Sequence, residues 1–300
     1  MNSVSVLVLA AGLGSRFGGL KQLTTFGPGE HTILEYSLFD AHRLGFRRVV
    51  CVIQEIHQKF FNRLLAPLKE HMEIEFAYQR LDDVPVEISN PHRTKPWGTA
   101  HAVYSARDHL HAPFVIINAD DFYGRRAWAQ MANFIRQTPS GNALVAFRLD
   151  HTLPPDRPVA RGICHANGDH LVKIEEFSRI TRSNGTIRAL GREECFSGDE
   201  PTSLNFWYLQ REVLREMDFK RFFAHGMNLM EAEWMLPVTI QDLLDEGKIR
   251  ITVVNTQSQW VGITHPDDVE AVTSHIENAT RSGIYPKEIW RTKPPTCPQE

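Results

Sequence analysis

The sequence predicts an α/β protein built on a mostly parallel sheet, and three observations carry that expectation. Short β-branched runs recur through the first half of the chain, stretches of helical spacing follow them, and Gly or Pro punctuates the joins. Strands alternating with helices of about 10–15 residues form right-handed βαβ units. Three hundred residues with 42% apolar content can bury a large core, as one α/β domain or one domain with an insertion.

Val4, Val6, Val8 and the apolar residues between them form a continuous run that ends in glycine, which suits a strand buried on both faces. A loop containing Gly12, Gly14, Gly18 and Gly19 follows, with Arg16 and Lys21 as its cations. Glycines permit positive φ and bring main-chain N–H groups close to an anion, and the two cations add the charge that a triphosphate needs. The same loop also fits a dinucleotide site or a plain tight turn. The cations argue against the former, because there a helix N-terminus receives the pyrophosphate.

Residues 32–44 read as a helix closed by Gly45, 48–53 as a strand, 58–68 as a helix and 73–78 as a third strand. A helix over 99–110 and a strand over 113–118 complete the alternating pattern. In a parallel sheet the ligand lies beyond the carboxyl ends of the strands, and each polar candidate falls just after one. Gln79 follows the third strand and is joined through a charged, Pro-containing loop to Trp97-Gly98-Thr99-Ala100-His101-Ala102. An amide can donate to and accept from a base edge, and glycine lets the backbone approach the base plane. Thr99 equally suits a helix cap, and Gln79 a solvated strand end.

Asp120 and Asp121 stand at the end of the fourth strand, within Asn118-Ala119-Asp120-Asp121-Phe122-Tyr123-Gly124. Adjacent carboxylates repel unless a cation joins them, and Mg²⁺ takes one or two carboxylates plus phosphate oxygens. Asp120 is the better ligand; Asp121 is a second ligand or a loop brace, and a metal-free Asp-Asp turn is the plain alternative. Further strands are expected at 143–148, 161–164, 171–176 and 203–207, with 178–200 as a mobile loop or insertion able to act as a lid.

On these residues the chain resembles the sugar-1-phosphate nucleotidyltransferases, whose signature G-x-G-[ST]-R-[FM]-G followed by Lys is matched by Gly12-Leu13-Gly14-Ser15-Arg16-Phe17-Gly18 and Lys21. The resemblance implies a Rossmann-like three-layer sandwich with a mostly parallel mixed sheet and an inserted acceptor-binding region at about 140–235. It places the catalytic domain over residues 1–285 and leaves 286–300, which ends in a Pro-rich polar stretch, as a disordered tail. It implies that Ala10, Ala11, Gly12, Gly14 and Ser15 wrap the nucleotide while Gln79, Gly98 and Thr99 hold its base and ribose. Arg16 would stabilise the departing pyrophosphate, Lys21 the phosphoryl centre, and Asp120 the Mg²⁺ that bridges the phosphates.

The acceptor side matches less closely. Glu176 and Asn205 correspond to sugar-contacting residues, but Phe177 stands where the family has a lysine and Trp207 where it has a glycine. The C-terminal segment W-x-D-x-G-T-P-E-D corresponds to Trp260-Val261-Gly262-Ile263-Thr264-His265-Pro266-Asp267-Asp268, and Gly262 replaces the second metal aspartate. Either Asp121 or a water then supplies the missing ligand, or the surroundings of the metal are arranged differently. Asp267 and Asp268 suit the first turn of a helix, where acidic residues favour the dipole.

A net charge of −3 gives no basic face for nucleic acid. Cys51, Cys164, Cys195 and Cys297 are scattered without a CxxC pair, which argues for a reducing compartment and against zinc. With neither a leader signature nor a run of about 18 apolar residues, the expected location is the cytoplasm, away from membranes. A homo-oligomer is left open.

The expected reaction is in-line attack of an acceptor phosphate on the α-phosphorus of an NTP, UTP or CTP favoured, giving an NDP-sugar and pyrophosphate. Cytidylyl transfer to a sugar-alcohol phosphate is a related alternative, suggested by Leu20-Lys21-Gln22. Two other classes remain: a metal-dependent glycosyltransferase, which has no need of Arg16 and Lys21, and a non-catalytic nucleotide sensor, which Gly262 favours.

Overall fold

The computed structural model describes residues 1, 3–12, 24–85, 92–155, 157–183, 185–218, 222, 228–263 and 265–290. The first strand, β1 (Ser5–Leu9), is the one the valine run requires, and Val6, Leu7 and Val8 are fully buried. A hairpin of β2 (Thr25–Phe26) and β3 (His31–Thr32) leads into α1 (Ile33–Arg43). Thr32 starts that helix with a capping box: its hydroxyl accepts from Glu35 N, and the Glu35 carboxylate accepts from Thr32 N. Gly45, at φ +96°, ends it, with Phe46 N bonding back to Ala41 O.

The chain continues through β4 (Arg48–Ile53), α2 (Gln58–Leu64), β5 (Glu73–Tyr78), α3 (Thr99–Ser105), β6 (Phe114–Asn118), β7 (Asp121–Phe122), α4 (Arg125–Gln137) and β8 (Ala143–Arg148). Next come β9 (Val159–Asn167), β10 (His170–Ser183), β11 (Thr186–Ala189), β12 (Cys195–Phe196), β13 (Pro201–Leu209) and α5 (Val213–Glu216). The last elements are α6 (Leu236–Asp245), β14 (Thr252–Thr256), β15 (Val261–Gly262) and α7 (Asp268–Arg281). The helix expected over 58–68 gives way after Leu64 to a 3₁₀ turn, Ala66–Glu70, which carries Pro67.

The main sheet runs β12-β11-β10-β14-β8-β13-β6-β1-β4-β5, with β9 pairing β10 and β13. Parallel ladders join β5, β4, β1 and β6, and a separate one joins β14 and β8. The other ladders of this sheet are antiparallel. The expectation of a mostly parallel sheet therefore holds only for the amino-terminal half. β13 enters antiparallel between β6 and β8, and the sheet is mixed.

Helices cover both faces. Val6, Val8, Cys51 and Ile117 pack with residues of α1, α4 and α7, while Leu7, Val50, Val52 and Ile116 pack with α3 and α6. This two-sided burial explains why these strands read as continuous apolar runs. The stretch 178–200, expected as a mobile loop or insertion, contributes in its described residues the end of β10 and the strands β11 and β12. They carry a satellite core in which Phe177, Ile180, Ile187 and Ala189 pack with Leu149 and Ile163. The apolar positions here are few and single, set among Ser, Thr, Arg and Gly, so composition suggests a loop although the spacing has the period of a strand.

The expected disordered tail also needs correction at its start. Ile289 and Trp290 are buried, and Trp290 meets Phe39 edge-on at 5.5 Å and stacks on His71 at 5.6 Å. Residues 291–300 lie outside the described part. Among the described residues no helix is long and apolar enough to cross a membrane.

Asp40 on α1 ties this C-terminal segment down. Its Oδ2 accepts the Tyr285 hydroxyl, and its Oδ1 is buried without a partner among the described residues. Burial pushes its carboxyl up to about 7, against the pull of the Tyr285 bond and Arg125. An unfolded Asp ionises near 3.8, so between that value and about 7 the folded chain holds the extra proton and stability declines as pH rises. The urea midpoint is predicted to fall between pH 5 and pH 7, and Asp40→Asn to remove a part of that fall worth about 2 kcal/mol. Equal pH slopes in the two proteins would contradict it.

Candidate active site

The strand order β5-β4-β1-β6 reverses direction at β1: the chain first builds outward through β4 and β5, then crosses back to place β6 on the other side. A crevice opens at such a switch point beyond the carboxyl ends of the strands. The registers bring the tips level, since Leu9 pairs with both Val52 and Asn118 and Ile53 pairs with Tyr78. Ala10, Ala11 and Gly12 follow β1, Gln79 follows β5, and Asp120 follows β6. Gly14, Ser15, Arg16 and Lys21 lie outside the described residues.

At the β1 tip, Ala10 N donates to Val52 O at 2.9 Å and the Gln54 amide donates to Ala11 O at 2.8 Å. At the β5 tip, the Gln79 amide nitrogen donates to Gly98 O at 2.9 Å and to His101 Nδ1 at 3.1 Å. His101 Nε2 in turn donates to Asp83 O at 2.9 Å, and burial lowers the imidazole pKa, so the ring is neutral with its proton on Nε2. Gln79 thus fastens the Gly98 turn to the sheet edge.

Gly98 is required where it stands. Its φ is +100°, and a Cβ there would fall 2.5 Å from Trp234 O. The segment before it is held by Arg93, which donates to the carbonyls of Lys95, Pro96, Leu229 and Ala232 at 2.6–2.8 Å and lies 3.7 Å over the Trp97 ring. The Thr99 hydroxyl accepts from Leu236 N at 2.9 Å, so it caps α6 rather than its own helix. The sequence pattern gave no sign of that long-range contact.

Asp120 and Asp121 line a cavity of about 450 Å³ together with Glu176 and Asn205, so four predicted site residues from three separate strands and turns converge. Ile174, Leu204 and Val238 supply apolar wall, and Arg161, Asp242 and Trp260 supply the remaining charge and aromatic surface used below. Asn205 has φ +58°, a conformation that Asn tolerates better than most residues, at an irregularity in the β13–β8 ladder. Phe177 faces away: it is buried in the satellite core beside Phe196, at 5.2 Å.

Asp121 is buried and held in place. Its Oδ2 accepts from the Asn118 amide at 2.8 Å and the Tyr123 hydroxyl at 3.3 Å. Burial and neighbouring Asp120 push its carboxyl up to about 7, with Asn118 and Arg161 pulling it down. Across the β7–β15 ladder Asp121 pairs with Gly262, and a Cβ at 262 would lie 2.6 Å from Asp121 Oδ1 and 2.4 Å from Trp260 Cζ2. The missing side chain at 262 leaves the space that the Asp121 carboxylate fills. A divalent cation fits these acids only with further ligands: among the described residues no three His, Cys, Asp or Glu side chains form a metal-binding group. Two carboxylates completed by phosphate oxygens is a Mg²⁺ arrangement.

Residues 5–178 match the family model for nucleotidyl transferase. The chain belongs to the nucleotidyl transferase family. No curated protein matches it in sequence. Among solved structures, the inositol-1-phosphate CTP transferase from T. maritima aligns with TM-score 0.63 and 14% identity, covering 93% of this chain and 96% of that one. A Bacillus anthracis chain described as a glucose-1-phosphate thymidylyltransferase, in complex with a sucrose, aligns with TM-score 0.62 and 12% identity over 92% and 96%. At such identities these likenesses concern the fold. Within this nucleotidyl transferase, sequence reading missed Arg161 and Trp260 as cavity residues; a lone arginine opening an otherwise apolar strand was the available signal.

Gly262→Ala is predicted to cost about 1–3 kcal/mol by overpacking. Because the added methyl meets Asp121, its cost should shrink in an Asp121→Ala background by at least about 0.5 kcal/mol. Chemical denaturation of the four proteins measures this, and additive effects would refute the contact.

Proposed function

We propose that this nucleotidyl transferase moves a pyrimidine nucleoside monophosphate, from CTP or UTP, onto a sugar 1-phosphate or cyclic polyol phosphate, releasing pyrophosphate. The observation that carries the reading is the convergence of Asp120, Asp121, Glu176 and Asn205 on one cavity beside the switch point. Both structural neighbours, by their names, use a pyrimidine nucleotide and a 1-phosphate. The acceptor region is assigned to about 140–235, and the free thiols of Cys51, Cys164 and Cys195 support a reducing, cytoplasmic setting.

In this reading Ala10, Ala11, Gly12, Gly14 and Ser15 wrap the triphosphate, and Gln79 keeps the Gly98–Thr99 turn positioned against base and ribose. Arg16 neutralises the departing β- and γ-phosphates, and Lys21 the phosphoryl centre. Glu176 and Asn205 orient the acceptor so that its phosphate oxygen lies in line with the leaving group. Asp120 and Asp121 would hold Mg²⁺, Asp121 from the space beside Gly262. Bound there, the ion would offset phosphate charge and align the reacting oxygens.

The test mixes the full chain with each NTP, Mg²⁺ and a panel of phosphorylated sugars and polyols, and measures pyrophosphate. Acceptor-dependent release with CTP or UTP is expected; nucleotide binding without release from any pair would overturn the assignment. Lys21→Ala and Arg16→Ala are each predicted to lower turnover by about 10²-fold or more, as for loss of one preorganised donor. Full turnover in the Lys21 variant would remove the loop from the chemistry.

A further inference from the structure

Four carboxylates line the cavity, on Asp120, Asp121, Glu176 and Asp242, and among the described lining residues Arg161 is the only cation. A phosphate monoester carries about −1.5 to −2 charges near neutral pH, and like charges at contact distance oppose one another by several kcal/mol near a protein surface. An anionic acceptor therefore needs a fixed positive partner on this side of the cavity.

Arg161 is built as one. Only 9% of it is exposed, and its guanidinium is immobilised by bonds from Nε to Thr152 Oγ1 at 3.1 Å, from Nη1 to Ala160 O at 2.8 Å and from Nη2 to Thr152 O. It also packs over the Trp260 ring at 4.7 Å. A guanidinium has five N–H groups, and these contacts use three. One remains on each terminal nitrogen, with no partner among the described residues. Burial pulls its pKa down to about 10, Asp121 and Glu176 pull it back up, and the group stays cationic at neutral pH. The next residue is glycine: a Cβ at 162 would press on Ile174 at 3.0 Å and on Glu176 Oε2 at 3.2 Å, so the cavity stays open beside the arginine. No salt bridge within the described residues neutralises the guanidinium, although acids stand near it, which leaves its charge for a ligand.

We infer that Arg161 is the acceptor-phosphate anchor of this enzyme, using its two remaining N–H groups to hold one phosphate and so selecting phosphorylated acceptors. The inference deepens the transfer reading and rests on it for the identity of the acceptor. A planar, pre-positioned fork suits phosphate oxygens better than a flexible ammonium and loses less freedom on binding.

The experiment titrates inorganic phosphate into the full chain with its nucleotide site saturated by CTP or UTP, for wild type, Arg161→Gln and Arg161→Lys. Circular dichroism confirms folding. Arg161→Gln is expected to weaken phosphate binding at least about tenfold, as for loss of a charge-assisted pair, and Arg161→Lys to recover part of it. Nucleotide affinity should change less than about twofold. For whichever acceptor gives turnover, KM should rise more than kcat falls. Undiminished phosphate affinity in Arg161→Gln, or absent phosphate binding by wild type, would overturn the inference. Should Arg161→Gln fail to fold, Arg161→Lys decides, because undiminished affinity there removes the fork. Phosphate binding that depends on Arg161 without pyrophosphate release from any NTP and acceptor would leave the anchor standing and defeat the transfer reading instead.

Discussion

The parallel pairing of β1 with β4 on one side and β6 on the other is the constraint on which the rest of the site depends. It buries β1 from Ser5 to Val8, stops it at the half-buried Leu9, and sets the tips of β4, β5 and β6 level with that stop. A strand held by two ladders cannot shift register without turning its valines to the opposite face. The chain leaving its tip must therefore emerge into the crevice, and so must Asp120 from β6. Loops leaving strand tips can vary while the paired strands that position them stay rigid.

Around that edge the protein uses small residues to make room and polar side chains to fasten backbone. Gly98 lets the helix entry pass beneath Trp234, while Gln79, Arg93 and Thr99 tie it to the β5 tip, the 229–232 segment and α6. Gly262 yields space to Asp121, and Gly162 yields it beside Arg161. In each case a missing Cβ permits a contact that the neighbouring charged or polar group completes. These groups act on backbone and on one another, so removing one moves several. Charge and the positive-φ Asn205 thus gather at the cavity, and apolar packing lies in the core behind it.

Charge balance links the acids of the cavity to its arginine. Asp121 is raised by burial and by Asp120, whereas Arg161 is lowered by burial and restored by Asp121 and Glu176. Asp121 and Glu176 are thus the acids whose charge acts on Arg161, the one cation among the described residues lining the cavity.

How much of this was legible in the sequence follows from the range of the forces involved. Valine runs, the Thr32 cap and Gly45 act within a few residues, so β1, α1 and β4 could be read directly, as could Gln79 and Asp120 at strand tips. The antiparallel entry of β13, the satellite core over 178–200 and the burial of Trp290 depend on partners far along the chain, and local pattern misled there. By itself, then, the sequence determined an α/β chain with polar residues at its strand ends, because hydrophobic period and turn chemistry are local. Only the tertiary structure decided that Asp121 fills the place left by Gly262 and that Arg161 joins Glu176 and Asn205 in one cavity, because those contacts exist only once distant strands have paired.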